Sequence, residues 1–259
     1  MPNDFHRSTQ RAIDIMSLVA KHNTEGLTMT ELSLLLNAPK SSLFSIIHTL
    51  EKNDILSLEK STGRYRMGMR IYLLAYSFMK SDSIQPAIRQ EMKRITDSCR
   101  ETCFFGTLDG GDVLYLLKED SPEPLRMVAQ GNKLPAYCTG IGKALLSEKT
   151  PEELRSLYPE GLAPLTEHTI TDFDELASQL AQVRETGLAF ENEESTQYVR
   201  CIGVPIRSAT GICAALSVAI PVFRYDEEKE RKVISLLQEA QKRVGSLLWN
   251  RGEAGGGIL

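Results

Sequence analysis

Apolar residues in the first eighty positions recur at helical spacing, and the breaks between them fall at residues that stop helices. Ile13, Met16, Leu18, Val19 and Ala20 put an apolar face on a helix over residues 10–22. Thr28-Met29-Thr30-Glu31 has the Ser/Thr-x-x-Glu spacing of a capping box, in which hydroxyl and carboxylate each take a backbone N–H at a helix start. A short helix follows to about residue 37, with Leu32, Leu35 and Leu36 apolar, and Asn37-Ala38-Pro39 breaks it. A further helix is predicted over residues 40–51, where Leu43, Ile46, Ile47 and Leu50 complete a small core. Two short strands near residues 55–58 and 65–67 flank the turn Lys60-Ser61-Thr62-Gly63-Arg64. Helix, tight turn, helix and basic hairpin predict a winged helix-turn-helix over residues 1–68, a unit that enters a DNA groove.

Residues 69–82 read as a linker helix that is apolar on most sides, from Met69 through Met79. So small a domain cannot absorb every face, which predicts packing against another subunit or against the second domain. Ser81-Asp82-Ser83 predicts a cap for the next helix, with Pro86 in the first turn, where a missing N–H is harmless. The period then shortens to two. Strands over residues 103–108 and 113–118 flank Asp109-Gly110-Gly111-Asp112, a tight-hairpin signal, and another strand is expected over residues 125–129. Helix starts are predicted at Thr139-Gly140, at Thr150-Pro151 with Glu153 completing a capping box, and at Thr171-Asp172, this last helix ending at Gly187. Strands over residues 188–191, 199–207 and 212–220 precede a long helix over residues 226–250. Residues 83–250 therefore read as a mainly antiparallel sheet with helices around it, α+β in class, and the glycine-rich residues 251–259 as a disordered tail.

Composition alters this picture little. A 259-residue chain with 42% apolar and 25% charged residues fits a globular protein of two domains. The apolar run over residues 212–222 is broken by Ser217 and Pro221 and is too short to cross a bilayer, so no membrane partner is expected. The N-terminus has no apolar export signal, and five cysteines without framework spacing fit reduced thiols; both predict a cytoplasmic protein. Charge separates the halves. Residues 1–80 hold ten Lys and Arg against seven Asp and Glu, and the remainder 20 against 27, which predicts an anionic partner for the front half only.

Several motifs follow one another in a definite order: Pro39-Lys40-Ser41-Ser42, Gly63-Arg64-Tyr65-Arg66-Met67-Gly68, the block from Pro135 through Thr139-Gly140-Ile141-Gly142-Lys143-Ala144, Glu191-Asn192-Glu193-Glu194, Cys201-Ile202-Gly203-Val204-Pro205-Ile206 and Ala215-Leu216-Ser217-Val218. Together they resemble the IclR family of bacterial transcriptional regulators along nearly the whole chain. The resemblance implies a GAF-like effector domain at the C-terminus, a homodimer or homotetramer, and two further partners: a double-stranded DNA operator and a small-molecule effector.

On the DNA side, Lys40, Ser41 and Ser42 stand at a helix N-terminus, where N–H groups and the helix dipole favour phosphate. Thr28, Phe44, Ser45 and His48 join them as candidate contacts, and Arg64 and Arg66 are expected to reach the minor groove or flanking backbone. The family commonly has arginine where this chain has Ser45. One winged helix reads few base pairs, so paired heads and a repeated site are expected.

The second domain shows no catalytic set. Of the four histidines, only His168 lies beyond the linker, and Cys99 and Cys103 lack the further ligands a metal would need. Gly140-Ile141-Gly142-Lys143 lacks the first glycine and the final Ser/Thr of a phosphate-binding loop. Neither enzyme activity nor a cofactor or metal is expected. Thr139, Gly140, Ile141 and Gly142 instead offer a helix start suited to a carboxylate. The resemblance places them in an effector pocket with Glu191, Cys201, Ser217 and Ala219, and Leu125 and Met127 on the preceding strand are candidate apolar walls. Relatives that bind glyoxylate-like acids tend to be polar where this chain has Ala219, and aspartate is frequent where it has Glu191. These departures imply a small organic acid with one apolar side, with Glu191 receiving a hydroxyl or amine. Glu193 and Glu194 read as a solvated turn. The rival reading is a redox-sensing regulator or a GAF-like thiol enzyme using Cys138 and Cys201, which requires accessible thiols in an electropositive setting.

Overall fold

The capping box at Thr28 closes as its spacing predicts: the Thr28 N–H donates to Glu31 Oε2 at 2.7 Å, and the Glu31 N–H to Thr28 Oγ1 at 3.2 Å. The computed structural model containing it describes residues 6–80, 84–124, 133–209 and 211–253. The chain divides into two units, Met1–Ser83 and Ile84–Leu259.

In the first unit, α1 (Arg7–Lys21), α2 (Met29–Leu35) and α3 (Lys40–Lys52) surround a core of Ile15, Val19, Leu32, Leu43 and Ile47, all essentially inaccessible to solvent. Helix α1 starts three residues before the expected position 10, because Arg7, Ser8 and Thr9 extend it over solvent without adding to the apolar stripe. Helix α2 gives way to Asn37 in the left-handed region (φ 45°), and Pro39 occupies the N-cap position of α3. The wing pairs β2 (Leu56–Glu59) with β3 (Arg64–Met67), turned through Gly63 at φ 68°. A two-residue strand β1 (Leu27–Thr28) pairs with the other edge of β3; it is too short to show alternation in sequence. Helix α4 (Met69–Lys80) follows with Met69, Tyr72 and Leu74 exposed, and residues 81–83 of the expected linker lie outside the described residues.

The second unit begins with α5 (Gln85–Cys99). Its N-cap is Ile84, which makes no side-chain cap, and the expected cap Ser81-Asp82-Ser83 lies outside the described residues. Strands β4 (Thr102–Asp109) and β5 (Asp112–Glu119) turn through Gly110 at φ 62°. The strand expected over residues 125–129, with Leu125 and Met127, lies outside the described residues; a short β6 (Lys133–Pro135) pairs with β5. Then come α6 (Gly140–Leu146), α7 (Pro151–Leu157) and α8 (Phe173–Thr186). Thr150 with Glu153 caps α7, and Asp172 caps α8, which stops at Gly187 with φ 73°. Strands β7 (Ala189–Asn192), β8 (Val199–Ser208) and β9 (Gly211–Pro221) lead to α9 (Glu227–Glu253). Helix α9 runs through residues 251–253, where a tail was expected, since adding residues to a formed helix costs little; residues 254–259 are not described.

The six strands form one antiparallel sheet in the order β6-β5-β4-β9-β8-β7. Alternation assigns its faces. Leu216, Val218, Ile220, Ile202, Val204, Cys103 and Phe105 pack with Ile88, Met92, Val233 and Leu237 of α5 and α9. Ala215, Ala219, Val199 and Phe104 turn the other way, toward Ile141 and Ala144 of α6 and Leu176 and Leu180 of α8. On that second face α6 starts directly over β8. A Cβ at Gly203 would stand 2.5 Å from the Gly140 carbonyl oxygen, so glycine is what permits the approach. Among the described residues no helix is long and apolar enough to cross a membrane, and no His, Cys, Asp or Glu cluster could hold a metal ion.

Candidate nucleic-acid interface and effector pocket

Burying Leu43 and Ile47 against the small core turns the opposite side of α3 outward. Lys40, Ser41, Ser42, Phe44, Ser45 and His48 are all exposed there. The Ser42 hydroxyl donates to the Pro39 carbonyl at 2.7 Å, and Lys40 Nζ to Thr30 Oγ1 at 2.7 Å, while the rings of Phe44 and His48 stack with centroids 5.9 Å apart. Arg66 is exposed on the wing with only a 3.5 Å surface pairing to Glu59.

Two further expected contacts are engaged in bonds within the unit. The Arg64 guanidinium donates to both Glu31 carboxylate oxygens, at 3.1 and 3.2 Å, and to the Gly26 carbonyl at 2.8 Å. Thr28 spends its hydroxyl on the capping box, donating to Glu31 Oε2 at 2.9 Å. Thr28 and then Arg64 hold the Glu31 carboxyl below its usual range. Arg64 therefore ties wing to helix start, because Glu31 in the cap supplies a carboxylate of matching geometry. Nothing in the local pattern of residues 60–66 signalled a partner 33 positions upstream.

In the second unit the sheet face under α6 forms the floor of a cavity of about 480 Å³. Cross-strand register builds that floor: Phe104 on β4 opposes Ser217 on β9, and Cys201 on β8 opposes Ala219. Of the expected pocket residues, Thr139, Gly140, Ile141, Cys201, Ser217 and Ala219 line the cavity. Leu125 and Met127 lie outside the described residues. Gly142 does not line it: a Cβ there would meet the Ala136 carbonyl oxygen at 2.1 Å, so this glycine lets the Pro135–Thr139 turn fold onto α6. The Thr139 hydroxyl accepts the Gly142 N–H at 3.0 Å and the Thr139 carbonyl the Lys143 N–H at 2.9 Å. The Gly140 and Ile141 N–H groups are thus the ones without an acceptor in the helix itself.

Glu191 stands one strand beyond the floor, opposite Cys201, and supports the cavity rather than lining it. Its Oε1 accepts the N–H groups of Glu194 and Ser195 at 2.6 and 3.1 Å, which fixes the β7–β8 loop whose Ser195, Thr196 and Gln197 wall the pocket. Oε2 is buried with no hydrogen-bond partner, and Cys201 is the cross-strand neighbour of this carboxyl. Burial raises the Glu191 carboxyl to about 7, against the opposing pull of the Cys201 thiol and the two N–H groups.

Sequence reasoning missed most of the second wall. Phe104 and Tyr115 meet edge to face at 5.3 Å, and Leu134, Leu165, Thr166 and Val199 complete the lining. Alternation placed Phe104 on one face of β4 without saying which; Leu165 and Thr166 sit in a loop with no period to read. Glu194 is the clearest correction. Expected in a solvated turn, it is buried and pairs with the fully buried Lys143, Nζ to Oε1 at 2.5 Å. Lys143 Nζ also donates to Gln179 Oε1 at 2.7 Å and to the Phe190 carbonyl at 3.3 Å. A charged pair at Lys-x and Glu-Glu spacings looks like surface, and only the fold encloses it.

The thiols do not fit a redox role. Burial first, then Glu191, pushes the Cys138 thiol up to about 12, and the same two causes raise Cys201 well above the usual thiol range. A redox thiol needs the opposite surroundings.

Residues 8–59 match the family model of the IclR helix-turn-helix domain, and residues 77–245 that of the bacterial transcriptional regulator IclR C-terminal domain. The chain is similar to the HTH-type transcriptional regulator BhcR of Paracoccus denitrificans, 30% identical over 252 residues, covering 96% of this chain and 90% of BhcR. Among solved structures, IclR of Thermotoga maritima superimposes with a TM-score of 0.63 at 25% identity over 94% of this chain and 99% of that one. The inducer-binding domain of a PobR double mutant from Acinetobacter, in complex with 3-hydroxybenzoic acid, gives a TM-score of 0.57 at 26% identity. That match covers 62% of this chain and 97% of the PobR domain.

Proposed function

The chain belongs to the IclR family of bacterial transcriptional regulators, and from that premise we propose that a small organic acid, held in the cavity over β4, β8 and β9, controls its hold on an operator. The DNA side uses Lys40, Ser41, Ser42, Phe44, Ser45 and His48 of α3 with Arg66 of the wing, while Thr28 and Arg64 keep those elements in place. Heads act in pairs, because one short helix in one groove cannot supply a specific affinity of roughly 10⁻⁸ M.

The cavity lining carries the ligand reading. Among the described residues it has no charged side chain, but it has the hydroxyls of Tyr115, Thr139, Ser195, Thr196 and Ser217 and the helix start at Gly140 and Ile141. Such a set holds one carboxylate by hydrogen bonds rather than by a cation. Phe104, Ile141, Leu165 and Val199 offer the remaining surface to an apolar body. A cavity of about 480 Å³ suits a single ring better than a two-carbon acid. The similarity to an inducer domain that binds 3-hydroxybenzoic acid supports the same class, a monocyclic hydroxy-aromatic acid. A thermal-shift screen with hydroxybenzoates and aliphatic acids tests this. A ligand at 100 times its dissociation constant adds about 2.7 kcal/mol, so a ring acid is expected to raise the melting temperature more than glyoxylate or pyruvate. No shift with any carboxylic acid would sink the reading.

A further inference from the structure

The outward face of α3 contains one residue that neither packing nor propensity accounts for. Phe44 is 62% exposed in the middle of a helix whose core positions are filled by Leu43 and Ile47. An aromatic side chain at an exposed helical site loses rotamer freedom and gains no burial, so lysine or glutamate would stabilise the helix better. The ring is also held in place: His48, one turn on, stacks on it with an interplanar angle of 9°. Ser41 and Ser45 on either side are small and leave its face accessible. Lys40 and Lys52 at the two ends of the helix, in a half that carries three more basic than acidic residues over positions 1–80, suit a polyanion as the occupant of this face.

We infer that Phe44 reads thymine: its ring docks on the C5-methyl group of a thymine in the operator half-site. This rests on the reading that α3 enters the major groove, and goes beyond it to a base. The base edges exposed in that groove present donors, acceptors and a single kind of apolar group, the thymine methyl. A phenyl ring can pair with none of the polar edges, and set against them it would leave them unsatisfied. Against a methyl it buries apolar surface on both partners. His48 fixes the ring before binding, which limits the ordering cost.

The test begins with the full chain and a random duplex pool, from which the bound sequences are recovered and a half-site defined. Each thymine is then replaced by deoxyuridine, which removes one methyl and keeps the pairing. Wild type is expected to lose about fourfold in affinity at one or two thymines, the equivalent of one buried methyl each. Phe44→Ala, which removes no core contact and should keep the wild-type melting temperature, is expected to bind thymine and uracil duplexes alike. Phe44→Leu, still apolar, should retain part of the discrimination. A selected site that wild type binds equally with either base, or a Phe44→Ala variant that still discriminates fourfold, overturns the thymine reading while leaving sequence-specific binding intact. Recovery of no preferred sequence overturns the operator reading itself, and the inference with it.

Discussion

Lys143→Met is expected to destabilise the C-terminal unit by about 3–5 kcal/mol, the usual result of removing one partner from a buried ion pair. The Lys143 and Glu194 side chains are 1% and 5% exposed, and Lys143 Nζ satisfies three acceptors on α8, β7 and the β7–β8 loop. Without it, a carboxylate that is only 5% exposed remains with no cation beside it. The Glu194 backbone stays held by Thr166 and Thr169, whose hydroxyls donate to its carbonyl at 3.3 and 2.6 Å, so the loss falls on the buried charge rather than on the loop. Urea unfolding followed by circular dichroism measures the loss. The double variant Lys143→Met, Glu194→Leu should recover most of it, since no unpaired charge remains. A single variant within a few tenths of a kcal/mol of wild type would mean that water reaches the pair.

Glu191→Gln is expected to change how stability depends on pH. Burial raises the folded carboxyl to about 7, against a value of 4.5 in an unperturbed chain. Between those values the folded state holds a proton that the unfolded state has released. The stabilisation that this protonation gives is therefore complete below pH 4.5, declines as pH rises, and is gone above about 7. Glutamine never ionises. The stability of Glu191→Gln relative to wild type should thus increase between pH 5 and pH 8, by a total on the order of 3 kcal/mol. Differences between the two proteins cancel every other titrating group except those coupled to Glu191. Parallel stability profiles would show that the carboxyl is ionised throughout, and that the N–H groups of Glu194 and Ser195 outweigh its burial.

The local chemistry of the fold was legible in the chain. Thr28 with Glu31, Thr150 with Glu153, Asp172 and Gly187 bound their helices where the residue types require, since each cap is settled by atoms within four positions. The alternation on β4, β8 and β9 also foretold two faces, and Ser217 and Cys201 lie on the one that forms the cavity floor. What was not legible depends on distant partners. Arg64 reads as a free wing cation until Glu31 is seen beside it. Glu194 reads as solvated until α6 and α8 enclose it. Gly203 is unremarkable within a strand, and its reason appears only when the Gly140 carbonyl is found where its side chain would be. Leu165 and Thr166 reach the pocket from a loop, where spacing says nothing of position in space.

The pocket and the DNA face matter together only if one biases the other. The direct measurement is operator affinity, by fluorescence anisotropy at one fixed salt concentration, with and without the acid that gives the largest thermal shift. Control by the effector predicts a change in dissociation constant of about 5–150-fold, the span of a typical coupling between two sites. An acid that stabilises the fold yet leaves operator affinity unchanged would contradict it.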